Sequence, residues 1–181
     1  MSENIVWVVD VDATADEAPA LAKEALAWLV GESIVQAAPS TDPRLLRSDV
    51  YRPGTSAAVW SKQVSDYLLL CGVEITAVRT VFHAGPGPDG IQCPHCGADH
   101  APDNVPWSDA VGAWFDNEPD DMLACPACRS SARIIDWRFL ELDWGFGNLG
   151  IGFNNWAIEP RLATELARVL GHRTKIVHEH R

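Results

Sequence analysis

Four cysteines stand in two equal spacings, Cys93-Pro94-His95-Cys96 and Cys125-Pro126-Ala127-Cys128, with 28 residues between the pairs. A C-x-x-C turn lets two sulfurs face one point, and two such turns supply the four thiolates of a tetrahedral Zn2+ site with Zn–S bonds of roughly 2.3 Å. Gly97, directly after the first pair, lets the backbone turn sharply and point amides at the sulfurs. A closed shell of four sulfurs leaves no coordination position for water, so the ion holds the chain together and catalyses nothing. His95 and His100 lie nearby as spare donors, but the tetrahedron is complete without them. Cys71, in the apolar run 67–73, reads as a small buried hydrophobe.

Over about 36 residues the two turns resemble the knuckles of zinc-ribbon proteins, and the resemblance implies a structural zinc bound by Cys93, Cys96, Cys125 and Cys128. The gap exceeds the usual spacing of roughly 15–20 residues, with a predicted helix at Trp107–Phe115 as the extra material. Cys-Pro-His-Cys also resembles the active-site dithiol of thiol oxidoreductases with a thioredoxin fold. There the first thiolate sits at a helix N-terminus, which lowers its pKa. Here GADHAPDNVP follows Cys96 and starts no useful helix, and a second pair waits downstream. Zinc is the favoured reading.

Asp10-Val11-Asp12-Ala13-Thr14 follows an apolar, β-branched run and resembles the first motif of haloacid-dehalogenase-type phosphatases. The resemblance implies a magnesium-dependent enzyme with Asp10 as nucleophile and Asp12 as general acid/base. Such chemistry also requires a lysine and a later acidic pair. Asp120-Asp121 lies among the cysteines, and Lys62 and Lys175 have no recognisable context. The rival reading is an aspartate turn capping the next helix. Gly145-Phe146-Gly147-Asn148-Leu149-Gly150 spells G-x-G-x-x-G, but IGFNNW after it reads as a strand, which makes a hairpin turn and not a pyrophosphate loop. No Ser-His-Asp arrangement is legible. His178-Glu179-His180 reads as a solvated tail.

Eight Trp and 47% hydrophobic residues in 181 provide for a proper core. The net charge is −11, and zinc on four thiolates adds about two more negative charges. Nucleic-acid binding is disfavoured, because its affinity comes largely from Lys and Arg. No apolar run reaches the roughly 18 residues of a membrane span. The acidic N-terminal stretch lacks a signal peptide's basic start, which gives a cytoplasmic expectation. From Gly85 to Ala124 there are eight acids (Asp89, Asp99, Asp103, Asp109, Asp116, Glu118, Asp120, Asp121) and no Lys or Arg. With Trp107, Trp114 and Phe115 among them, the segment suits a protein partner with a basic surface. The alternative is that the charges solvate the loop while the aromatics pack on the core.

These residues need elements to hold them. IVWVVDV (5–11) reads as a strand and 16–29 as a helix with Asp16 as cap and Leu21, Ala25, Leu26 and Leu29 on one face. Residues 36–56 form a loop, 57–70 are strand or short helix, and Val73–Phe82 reads as one strand ending at the breaker HAGPGPDG. Arg133–Trp144 reads as a long strand, Gly145–Gly147 as a turn and Leu149–Phe153 as a strand. Pro160 opens a helix through Leu170, stopped by Gly171, before a last strand at Thr174–His178. The order predicts a single α+β domain over 1–181: a mixed or antiparallel sheet, two main helices, and a zinc-binding insertion at 91–129. An α/β arrangement is the alternative. The functional expectation is a noncatalytic cytosolic interaction, inhibitor or accessory protein with structural zinc; the alternative is the phosphatase using Asp10 and Asp12.

Overall fold

A computed structural model describes residues 3–42, 45, 49–85 and 87–180. Pro43, Pro86 and Arg181 lie outside the described residues. The elements run β1 (Asn4–Asp10), α1 (Ala18–Gly31), β2 (Ser61–Val64), β3 (Gly72–Thr76), β4 (Thr80–His83), β5 (Gly90–Gln92), β6 (Asp99–His100) and α2 (Trp107–Phe115). They continue with β7 (Met122–Ala124), β8 (Ser131–Arg133), β9 (Arg138–Leu140), β10 (Trp144–Gly147), β11 (Leu149–Asn154), β12 (Trp156–Ile158), α3 (Pro160–Leu170) and β13 (Thr174–His180). Three helices and several antiparallel sheets make the fold α+β.

The main sheet has the order β13-β1-β11-β3, and every pairing in it is antiparallel. β1 is apolar on both sides because both faces are covered. Val8 faces the larger core, where it meets Ile151, Phe153, Leu29 and Leu166 beneath α1 and α3. Trp7 and Val9 face the other way, onto Phe82 and Val177. β11 solves the same problem with glycine. Leu149, Ile151 and Phe153 go to the helix side, whereas a Cβ at Gly150 would stand 2.4 Å from the Phe82 ring and one at Gly152 2.7 Å from the Trp7 ring. The glycine-rich sequence is therefore a packing surface for two aromatic rings.

The helices form largely where the sequence places them. α3 buries Leu162, Ala163, Leu166 and Leu170, one stripe at helical spacing, and ends on Gly171 at φ 69°, the left-handed cap that glycine adopts without strain. α1 buries Ala18, Ala25 and Leu29, with Leu21 and Leu26 packed beside them. Its start differs from the expectation: Glu17 and not Asp16 precedes the helix. The Glu17 carboxylate accepts from the Thr14 amide (3.0 Å) and hydroxyl (2.6 Å), and the Thr14 hydroxyl accepts from the Glu17 amide (3.3 Å). That reciprocal pair is a capping box.

Three strand expectations need correction. Val73–Phe82 is two strands in two sheets, since β3 pairs β11 while β4 pairs β10 across the opposite face. Arg133–Trp144 is broken by a 3-10 turn at Ile134–Asp136 into β8, β9 and the start of β10. Gly145–Gly147 belongs to β10, with Gly147 so close to β1 that a Cβ would stand 2.5 Å from the Asp10 carbonyl. In the ambiguous stretch 57–70, a short 3-10 turn (Ala57–Val59) leads into β2, which pairs β12.

A second core gathers residues 91–146, among them Ile91, Trp114, Leu123, Trp137 and Phe139. Within it the Trp144 ring stacks on His83 of β4 (4.7 Å, 17°) and on Phe139 (4.9 Å, 15°), and β10 lies against the main sheet at Gly145, where a Cβ would stand 2.8 Å from Val177 and 3.2 Å from Val9. The cysteines sit on this second core.

Candidate metal centre

Each cysteine pair occupies the turn of a short hairpin. β5 ends one residue before Cys93 and β7 one residue before Cys125, while β6 and β8 begin at Asp99 and Ser131. The two turns repeat one backbone pattern. The Cys93 amide donates to the Ala98 carbonyl (3.0 Å) and the Cys93 carbonyl accepts from the Gly97 amide (3.0 Å). In the second turn the Cys125 amide donates to the Ser130 carbonyl (2.9 Å) and the Cys125 carbonyl accepts from the Arg129 amide (2.8 Å). Sequence thus fixes the two knuckles locally, and the second core brings them face to face.

The four sulfurs lie within 4.8 Å of one another. Across the two turns, Cys93 Sγ is 3.9 Å from Cys128 Sγ, and Cys96 Sγ is 3.8 Å from Cys125 Sγ. Disulfide sulfurs would stand roughly 2.05 Å apart, so these cysteines are free. Sulfurs at the corners of a tetrahedron with roughly 2.3 Å metal bonds stand about 3.8 Å apart. The donor set and its spacing therefore fit one metal ion. Cys93 and Cys125 are buried on the second core; Cys96 and Cys128 are exposed.

The surroundings favour thiolate at Cys128 but not at Cys96, where backbone donation at Ala98 lowers the thiol yet burial and the other three cysteines push it up to about 11. The His95 amide approaches Cys93 Sγ at 3.4 Å, and His100 Nε2 lies 3.2 Å from Cys125 Sγ. Donation from the Ser130 amide and then its hydroxyl holds Cys128 down to about 6. The His95 ring turns away and donates to the Ser131 carbonyl at 3.2 Å. Cys71 is buried apart from the cluster, and burial pushes its thiol up to about 11.

The aspartates of the D-x-D motif are committed elsewhere. Asp10 has no exposed surface. Its Oδ1 accepts from the amides of Asp12 (3.0 Å) and Ala13 (2.9 Å), and its Oδ2 meets His172 Nδ1 at 2.9 Å. Asp12 makes an ion pair with Arg173 at 2.5 Å, and the side-chain and backbone donation of Arg173 holds its carboxyl down to about 2. Together they fasten the loop after α3 to the end of β1. Asp10 has no surface at which to meet a substrate. His172 carries no motif that would reveal it; its position after the Gly171 cap is the only cue.

The acidic segment is divided by burial. Seven of its eight acids are exposed; Asp121 is buried (5%) and bound to Arg133 at 2.6 Å. Asp121 is therefore an anchor for β8 and no part of an accessible surface. Trp114 is likewise core, Trp107 is half-buried, and Phe115 is 52% exposed with Met122 at 45%. The run 115–120 is exposed at every position.

A cleft of about 450 Å³ beside β2 has its arginine already engaged: Arg52 donates to the carbonyls of Asp66, Leu68, Leu69 and Cys71 and organises that loop. Among the described residues no helix is long and apolar enough to cross a membrane. Compared with protein-family models, curated proteins and solved structures, the chain matches none.

Proposed function

We propose that Cys93, Cys96, Cys125 and Cys128 bind one structural Zn2+ in a ribbon-like arrangement of two knuckle hairpins, and that the segment so folded (91–129) is an insertion serving as an acidic interaction surface. The observation that carries the reading is the convergence of four sulfurs within 4.8 Å, a donor set that zinc fills completely. With no position left for water, the centre stabilises and does not catalyse.

The surface beside it supports a binding role. Phe115 and Met122 are exposed apolar side chains flanking Asp116, Glu118 and Asp120, so an apolar anchor has a negative rim. The matching partner is a cytosolic protein with a basic face around an apolar pocket, and this chain is its inhibitor or accessory. Reversing Asp116, Glu118 and Asp120 to lysine, with Asp121 kept, tests it against a displayed library of basic peptides. Binders of the native protein should lose roughly tenfold or more on charge reversal and again with Phe115→Ser. Equal binding by all three proteins would remove the proposal.

A further inference from the structure

A second cleft, of about 320 Å³, lies between the turn after β1 and the face of the second core formed by α2 and β8. Its walls include Thr14, Ala15, Arg79, Arg133, Ile135 and Asn148, and no acid is among its lining residues. In a chain of net charge −11, two arginines facing one concave space without a lining carboxylate are unusual company.

Both guanidiniums have a structural duty that leaves donors over. Arg79 Nε donates to the carbonyl of Trp114 at the end of α2, and its guanidinium stacks over the Trp114 ring at 4.0 Å. That caps the negative end of a helix. Among the described residues nothing accepts from its two terminal nitrogens. Arg133 spends Nε and one terminal nitrogen on Asp121, leaving the other. Burial pulls the Arg79 pKa down, the Arg133 charge pulls it further, and Asp121 opposes them. Asp121 thus serves both cations, and Asp136 acts on Arg133 besides.

Of the acids next to lining residues, Asp12 and Glu17 are occupied, whereas Asp16, Asp116, Glu118 and Asp136 are exposed to solvent. Asp12 is paired with Arg173, and Glu17 closes the capping box with Thr14. Asn148 is locked by its donation to the Ala13 carbonyl (2.8 Å), which holds the cleft's floor against the β1–α1 turn. Ala15 brings the first turn before α1 to the edge, where backbone amides and the helix dipole favour negative charge.

We propose that this cleft binds a small anion, a phosphoryl or carboxylate group held by the terminal nitrogens of Arg79 and Arg133, with any apolar remainder against Ile135. The planar fork of arginine suits either oxyanion. This site borders the acidic surface of the proposed function at Asn117, between Asp116 and Glu118, but does not depend on it. It would make the junction between the main sheet and the cysteine-bearing core responsive to a small metabolite-sized ligand.

The test titrates inorganic phosphate, phenyl phosphate and succinate in turn into isotopically labelled, zinc-loaded full-length protein, at constant ionic strength. The expected result is saturable binding at about millimolar concentration or below, with the moving amides confined to Ala13–Ala15, Gly147 and the Arg79 side chain. Preference for the phosphates assigns a phosphoryl ligand, and preference for succinate a carboxylate; either supports the site. Ala15→Glu, which places an acid where a helix start tolerates one, should weaken binding roughly tenfold or more, and Arg79→Gln should do the same. Absence of saturation for all three anions, shifts scattered away from the cleft, or unchanged affinity in Ala15→Glu would overturn the proposal. The mapping on unaltered protein decides the matter if Arg79→Gln does not fold.

Discussion

Arg129 stands in the second knuckle where Gly97 stands in the first. Their φ angles are 63° and 72°, and each amide donates to the carbonyl of its knuckle's leading cysteine. The same turn is thus closed once by the residue that adopts this conformation freely and once by one that does not. Gly97→Ala meets open space but a left-handed backbone, so it should destabilise the zinc-loaded protein by about 1 kcal/mol. Arg129→Gly should be close to neutral, since relief of strain is offset by a freer unfolded chain. Urea melts of both variants check the asymmetry; equal and opposite effects would contradict the offset expected for Arg129→Gly.

Two other glycines separate packing from helix propensity. A Cβ at Gly152 would press into the Trp7 ring at 2.7 Å, so Gly152→Ala should cost about 1–3 kcal/mol by overpacking. Gly112, inside α2 with nothing near, should gain about 0.5–1 kcal/mol on becoming alanine. Thermal melting distinguishes them by sign.

His172 and Asp10 give a pH dependence with a defined direction. The Asp10 hydrogen bond raises the His172 pKa above its ordinary 6.5, so its contribution is fully present below pH 6.5 and is lost as pH rises through the elevated value. Asp12, held down to about 2 from 3.8, contributes above pH 3.8 and loses its part as pH falls through about 2. Urea midpoints should therefore decline on the alkaline side of pH 6.5, and Asp10→Asn should flatten that decline. An alkaline slope identical in both proteins would contradict the pairing. The same variant tests the phosphatase alternative, because Asp10 in this account governs stability and native protein should not turn over an aryl phosphate.

Much of this was legible in the residues. The cysteine spacing named the cluster, Pro160 and Gly171 bracketed α3, and the β-branched run at 5–11 named β1. Less legible was where an apolar run changes sheet. Nothing in Val73–Phe82 marks the break, which occurs because Arg79 is drawn to the end of α2 while Val78 is left 65% exposed. The long strand expected over Arg133–Trp144 fails because the Asp121 carbonyl takes the Ile134 amide and the Asp121 side chain takes Arg133, which turns the chain. Burial of Asp121 and Trp114 depended on partners distant in sequence, and local pattern carries no record of them.

Removing the metal should unfold the chain unevenly. The sulfurs join the β5–β6 hairpin to the β7–β8 hairpin, whereas the main sheet is closed by β1, β11 and β13 with their own core. After chelation, amide exchange should rise in residues 91–133 while β1 and β11 stay protected. Uniform loss of protection would mean that the second core supports the first.

The most direct measurement is X-ray absorption at the zinc edge on protein purified without chelators, with metal content determined on the same sample. The expected result is one zinc per chain, surrounded by four sulfurs at about 2.3 Å. A metal-free protein, or a first shell containing nitrogen from His95 or His100, would contradict it.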